Sequence, residues 1–134
     1  SGSHSRDDAF VFARHARAGR AVVAGVEALG LKVFGDAANR IPHITGVCVP
    51  EGVDGERVRA GMLADFGVEI GSAFGPLKGK MWRIGTMGCN ARKDAVLVTL
   101  AALEAALATE RVKFPRGAGV DAAAAVYRDP EGNR

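Results

Sequence analysis

Aromatic residues are scarce in this chain, with one Trp and one Tyr among 134 residues. Stacking platforms for single-stranded nucleic acid are therefore few. The net charge of +3 is not gathered into a patch either, since Arg14, Arg17, Arg20, Arg57, Arg59, Lys78, Lys80, Arg92 and Lys93 are scattered. Both absences argue against nucleic-acid recognition. Cysteine is also rare. Cys48 and Cys89 form no CxxC pair, and His15 and His43 do not complete a ligand set with them. That speaks against a disulfide scaffold and against zinc, and it suits a reducing, cytoplasmic setting. No apolar run reaches the ~20 residues a membrane-spanning helix needs, and no signal peptide is visible. The nucleophile elbow, P-loop and HExxH motifs are missing. Gly71–Gly75 does not match a dinucleotide fingerprint. Asp7 and Asp8 are explained by helix capping, and His43 reads better as a structural histidine than as a base. The chain contains no evident chemical engine.

What it does have is a sizeable core, because 48% of its residues are hydrophobic and its length suits one domain. Ser1–His4 reads as a vector remnant, and residues 5–134 as the domain. The lack of an initiator Met near Ser5 suggests a piece of a longer protein.

The hydrophobic periodicity predicts a helix over Asp7–Leu29, with Ala9, Phe12, Ala16, Val23 and Val26 on one stripe. Gly19 and Gly25 weaken it locally. A short strand follows at Lys32–Phe34, then a loop over Gly35–Pro42. The best strand is His43–Val49. Asp54 caps a helix running to Phe66, with Val58, Met62 and Phe66 inward. A third strand is expected at Gly67–Ile70, a loop over Gly71–Gly79 and a fourth strand at Met81–Thr86. Asn90 is read as the cap of the strongest helix, Ala91–Thr109, whose core stripe is Val96, Leu100, Leu103 and Leu107. A last short helix is expected at Val120–Tyr127, and a frayed tail from Asp129. This order predicts an α+β domain: a small, mostly antiparallel sheet of three or four strands with helices covering one face. The other face would need a partner.

The most informative segment is Gly79–Gly88, Gly-Lys-Met-Trp-Arg-Ile-Gly-Thr-Met-Gly. In a strand, Trp82, Ile84 and Thr86 point one way, while Met81, Arg83 and Gly85 point the other. The apolar set can bury against helices while Arg83 projects from the uncovered face. Gly85 and Gly88 leave space beside it. A guanidinium fixed on a rigid strand can grip a carboxylate through two parallel hydrogen bonds. The competing reading is a solvated or ion-paired strand arginine.

Six further pieces recur in order: Gly30–Phe34, Arg40–Pro42, Val47–Pro50, Phe66–Gly71, Gly75–Lys80 and Leu100–Glu104. With Trp82–Gly88 they resemble the C-terminal small domain of class V, fold-type I aminotransferases. The nearest group is the alanine–, serine– and ureidoglycine–glyoxylate enzymes. The resemblance covers about Arg6 to Leu107. It implies a homodimer that uses pyridoxal 5′-phosphate and acts on small amino acids and 2-oxo acids. It implies that Arg83 binds the substrate carboxylate, and that a large domain supplies the Schiff-base lysine and most cofactor contacts. That domain is missing from this chain, and Lys32, Lys78, Lys80, Lys93 and Lys113 do not match the family's lysine context. The chain alone is therefore expected to bind no pyridoxal phosphate and to be inactive. The extension Val112–Tyr127 inclines the amino donor toward ureidoglycine rather than alanine or serine. The alternative from a different class is a free-standing, ACT-like small-ligand-binding regulatory module.

Overall fold

The computed structural model describes residues 2–34, 44–73, 75–86 and 88–129, without the side chains of 2–9, 11, 12, 88 and 89. Helix α1 spans Gly2–Ala28, strand β1 Ile44–Cys48, helix α2 Gly55–Phe66, strand β2 Gly71–Ser72 and strand β3 Met81–Gly85. Helices α3, Lys93–Thr109, and α4, Ala118–Arg128, complete the fold. The three strands pair antiparallel in the order β1-β3-β2. The α+β class expected from the sequence is the class found.

Strands β1 and β3 alternate in burial. On β3, Trp82 and Ile84 are buried while Met81, Arg83 and Gly85 are half-exposed. On β1, Thr45 and Val47 face inward, and Ile44, Gly46 and Cys48 outward. The inward set joins one core with Val22 and Val26 of α1, Val58 and Met62 of α2, and Val96, Leu100, Leu103 and Leu107 of α3. The stripe expected on α3 is the one buried. Trp82 is fully buried, and its indole nitrogen donates to the Gly55 carbonyl at 3.0 Å. A buried indole N–H needs such a partner.

Several expectations need correction. Lys32–Phe34 is reduced to a single bridge, Val33 to Val47, flanked by Phe34 N to Gly46 O at 2.7 Å and Cys48 N to Lys32 O at 2.8 Å. The third strand lies at Gly71–Ser72, not Gly67–Ile70. Gly67 closes α2 in the left-handed conformation, with φ 67°, so the chain is still turning there. Asn90 is not the cap of α3. Gly88–Ala91 forms a 3-10 turn, and Arg92 holds the cap position without a side-chain bond. Asp54 does cap α2, accepting from Glu56 N and Arg57 N. Phe66, expected inside, is 48% exposed.

The buried face of α1 is Ala18, Ala21, Val22, Gly25, Val26 and Leu29, whereas Ala16 and Val23 are only half-buried. The stripe shifts because α4 packs along α1 as well. The helices meet where Gly25 lies against Gly119: a Cβ on Gly25 would fall 2.9 Å from the Gly119 carbonyl and 2.6 Å from Leu100 Cδ1. The glycine that weakens the helix locally is what lets three helices close together. Arg40, Pro42 and His43 lie outside the described residues.

Candidate functional site: an arginine between two glycines

Arg83 sits on the central strand, on the sheet face turned away from the core. Its register partners are Gly46 on β1 and Gly71 on β2. Residues directly opposite on paired strands share a face. Arg83 therefore has no side chain beside it on either neighbouring strand. Gly85 lies on the same face two residues along the strand, and the glycines directly opposite Arg83 come from across the sheet.

Neither Gly46 nor Gly71 has the positive φ that favours glycine. Glycine within a strand weakens it and marks a close approach. At Gly71 the neighbour is Arg83 itself: an added Cβ would lie 3.4 Å from Arg83 Cβ and 3.5 Å from its Nε. At Gly46 an added Cβ would lie 3.2 Å from Phe34 Cβ and 3.4 Å from Met81 Sδ. Phe34 is 46% exposed and Met81 half-exposed, so one side of the Arg83 row has an apolar wall. On the other side, Arg83 Nε donates to the Ser72 carbonyl at 2.9 Å. Ser72 is not the only group Arg83 engages.

Two further charged side chains tie α4 down, and neither was singled out from the sequence for that role. Glu104, on α3, is buried and accepts from Gly117 N and Val120 N at the start of α4. Arg17, on α1, donates to the Tyr127 carbonyl at 2.7 Å and to those of Val126 and Asp129 at 3.3 Å, and its guanidinium lies 5.4 Å from the Tyr127 ring centre. An anion at the N-terminus and a cation at the C-terminus both complement the helix dipole. Burial pushes the Tyr127 hydroxyl above its ordinary value, and the nearby Arg17 charge opposes that in part.

No family model matches the chain. It is 48% identical over 118 residues to the (S)-ureidoglycine–glyoxylate transaminase of Bacillus subtilis, covering 88% of this chain and 28% of that protein. It is 40% identical over 118 residues to the pyridoxamine–pyruvate transaminase of Mesorhizobium japonicum, covering 87% of this chain and 30% of that protein. Superposition on the crystal structure of the ureidoglycine–glyoxylate aminotransferase from Bacillus subtilis gives a TM-score of 0.84, covering 87% of this chain and 30% of that one. The chain is homologous to a part of the class V aminotransferases. It spans less than a third of the length of these relatives.

That homology raises the question of pyridoxal phosphate, which needs a lysine held in a cleft to carry it. Every lysine of the chain, Lys32, Lys78, Lys80, Lys93 and Lys113, is exposed. The residues present do not fit a resident cofactor. Among the described residues, no cluster of His, Cys, Asp and Glu could hold a metal ion. No helix among them is long and apolar enough to cross a membrane.

Proposed function

We propose that this chain is the C-terminal, substrate-carboxylate-binding small domain of a pyridoxal-phosphate-dependent aminotransferase. Glyoxylate is the amino acceptor in this reading. The higher identity to a ureidoglycine–glyoxylate transaminase supports ureidoglycine as donor, ahead of alanine and serine, and hence a role in purine breakdown. Arg83 carries the proposal. It is a guanidinium on a rigid central strand, with a glycine directly opposite it on each neighbouring strand, on the sheet face turned away from the core of the described residues. The lysine-bearing large domain and the homodimer mate are the partners assigned to that face, and the cytoplasm is the assigned location. The ACT-like alternative gains no support from the relatives, which are aminotransferases.

The deciding variant is Arg83→Ala in the longer protein that joins this chain to its lysine-bearing domain. Removing one side of a desolvated charge pair costs about 2–5 kcal/mol. That corresponds to a loss of roughly 30-fold to several thousand-fold in kcat/KM for donor and glyoxylate alike. Arg83→Lys should recover only part, since an ammonium lacks the planar fork. The melting temperature should barely move, because Arg83 lies outside the core. An Arg83→Ala enzyme that keeps normal kcat/KM for both substrates would remove the proposal. The isolated chain should be inactive and should hold no stoichiometric pyridoxal phosphate after dialysis. A single lysine modified on borohydride reduction would contradict that.

A further inference from the structure

We infer that strand β2 is a positioning device for Arg83, with Gly71 and Ser72 as positioning residues that aim the terminal amines of the guanidinium at the carboxylate. The inference rests on the carboxylate reading above. β2 is only two residues long, Gly71–Ser72, and both residues pair with β3. Gly71 contributes no β propensity and no side-chain packing, and its backbone does not need glycine. Its value lies in the space it leaves. The stem of Arg83 runs across that space, within 3.5 Å of where a Cβ would stand.

The next carbonyl, Ser72 O, then takes the Nε proton at 2.9 Å. A guanidinium can present a two-pronged fork either through Nε and one terminal nitrogen or through both terminal nitrogens. With Nε committed to Ser72, the first mode would require breaking a main-chain hydrogen bond. The second leaves that bond in place, whatever else Arg83 engages. β2 thus fixes both the direction of the side chain and the edge it offers. A backbone carbonyl suits this task because no Ser72 substitution that keeps the strand removes it.

The effect of a side chain at position 71 should depend on its size. A methyl would make ordinary van der Waals contact with the Arg83 stem at 3.4–3.5 Å. A β-branched side chain would reach beyond that and push the guanidinium off Ser72.

The test uses the chain itself, labelled with nitrogen-15, and observes the Arg83 Nε–H signal, assigned by its disappearance in Arg83→Lys. Its exchange with water should be at least ~10-fold slower than that of exposed Arg116, as a hydrogen-bonded donor requires. Gly71→Val should abolish the slowing and Gly71→Ala should keep it. The Trp82 indole signal serves as the check that each variant is folded. Glycolate, an unreactive stand-in for glyoxylate, should shift the terminal Arg83 signals and leave the Nε proton protected. Fast exchange in the unaltered chain, survival of protection in folded Gly71→Val, or loss of protection on adding glycolate would each overturn the inference. If glycolate moves no Arg83 signal while Nε protection remains and depends on Gly71, the carboxylate reading fails and the positioning role stands.

Discussion

Replacing Glu104 by alanine should loosen α4 at its start. Gly117 precedes that helix and has no side chain with which to cap it. An ordinary N-cap side chain takes the backbone N–H two or three residues on. Here the neighbouring helix provides the oxygens: Glu104 Oε1 accepts from Gly117 N at 2.5 Å, and Oε2 from Val120 N at 3.3 Å. Glu104 is 9% exposed, so water replaces it poorly. Loss of a cap costs about 0.5–2 kcal/mol, and an unsatisfied buried donor about 1–3 kcal/mol. The two figures partly describe the same contact, and a charge at the helix N-terminus adds about 0.3–1 kcal/mol. The expected loss is therefore about 2–4 kcal/mol, or on the order of 10 °C in Tm for a chain of this size. Glu104→Gln keeps one acceptor and the shape but loses the charge, and should cost about half as much. Thermal unfolding gives the magnitude, and amide exchange at Gly117 and Val120 gives the location. If Glu104→Ala moves Tm by less than about 2 °C and both amides stay protected, the carboxylate is not the cap and apolar contact alone holds α4.

Tyr127 gives a pH signature. Its hydroxyl is buried without a partner among the described residues, and burial raises its pKa, so the native state holds the phenolic proton longer than the unfolded chain does. Stability should be intact below the ordinary value of about 10 and fall as pH rises through the raised native value. Tyr127→Phe should remove that fall, and as this is the only Tyr in the chain, phenolate absorbance follows it directly. Gly55→Ala should be destabilising by about 1–3 kcal/mol through overpacking, because the new Cβ would lie 2.9 Å from the Gly79 carbonyl and from Val49 Cγ2. The fluorescence of the only Trp should report the shift, since the same Cβ would press on Trp82 Nε1 at 3.3 Å. Cys48 is a free, half-buried thiol and should titrate with a thiol reagent in the unfolded, unreduced chain. The isolated chain should self-associate at high concentration through the face that carries Phe34 and Met81, and strictly monomeric light scattering would count against an unpartnered face.

The sequence was most legible where the relevant forces are local. The alternation Met81-Trp-Arg-Ile-Gly85 specifies which side chains enter the core, and the structure keeps that assignment without exception. The stripe of α3 is equally clear, because the large apolar side chains Val96, Leu100, Leu103 and Leu107 all enter the core. The α1 stripe was misread because α4 buries a second flank, and no periodicity within α1 encodes a helix that arrives a hundred residues later. The ties made by Glu104 and Arg17 were invisible for the same reason: charged residues on a helix look like solvated surface until the other chain end is placed. Asn90 is not the cap because it lies within a 3-10 turn that precedes the helix, and cap residues also favour such turns.

The glycines carry the lesson furthest, because one letter stands for two different demands. Gly67 closes a helix with a positive φ, which a local turn signal after a hydrophobic stripe can reveal. Gly46 and Gly71 sit in extended backbone that any residue adopts, so their demand comes from a neighbour across the sheet. A glycine inside a strand pattern is a signal of close approach, yet it does not say what approaches. Register puts both glycines opposite the same arginine, and the side chains that approach are Arg83 itself at Gly71 and Phe34 with Met81 at Gly46. A sheet that only had to be stable would fill those positions with β-branched side chains, since each strand-interior glycine costs about 0.5–1 kcal/mol. At Gly71 that cost follows if the strand is built to keep the space that Arg83 crosses, whereas at Gly46 the space goes to Phe34 and Met81, which wall the same row.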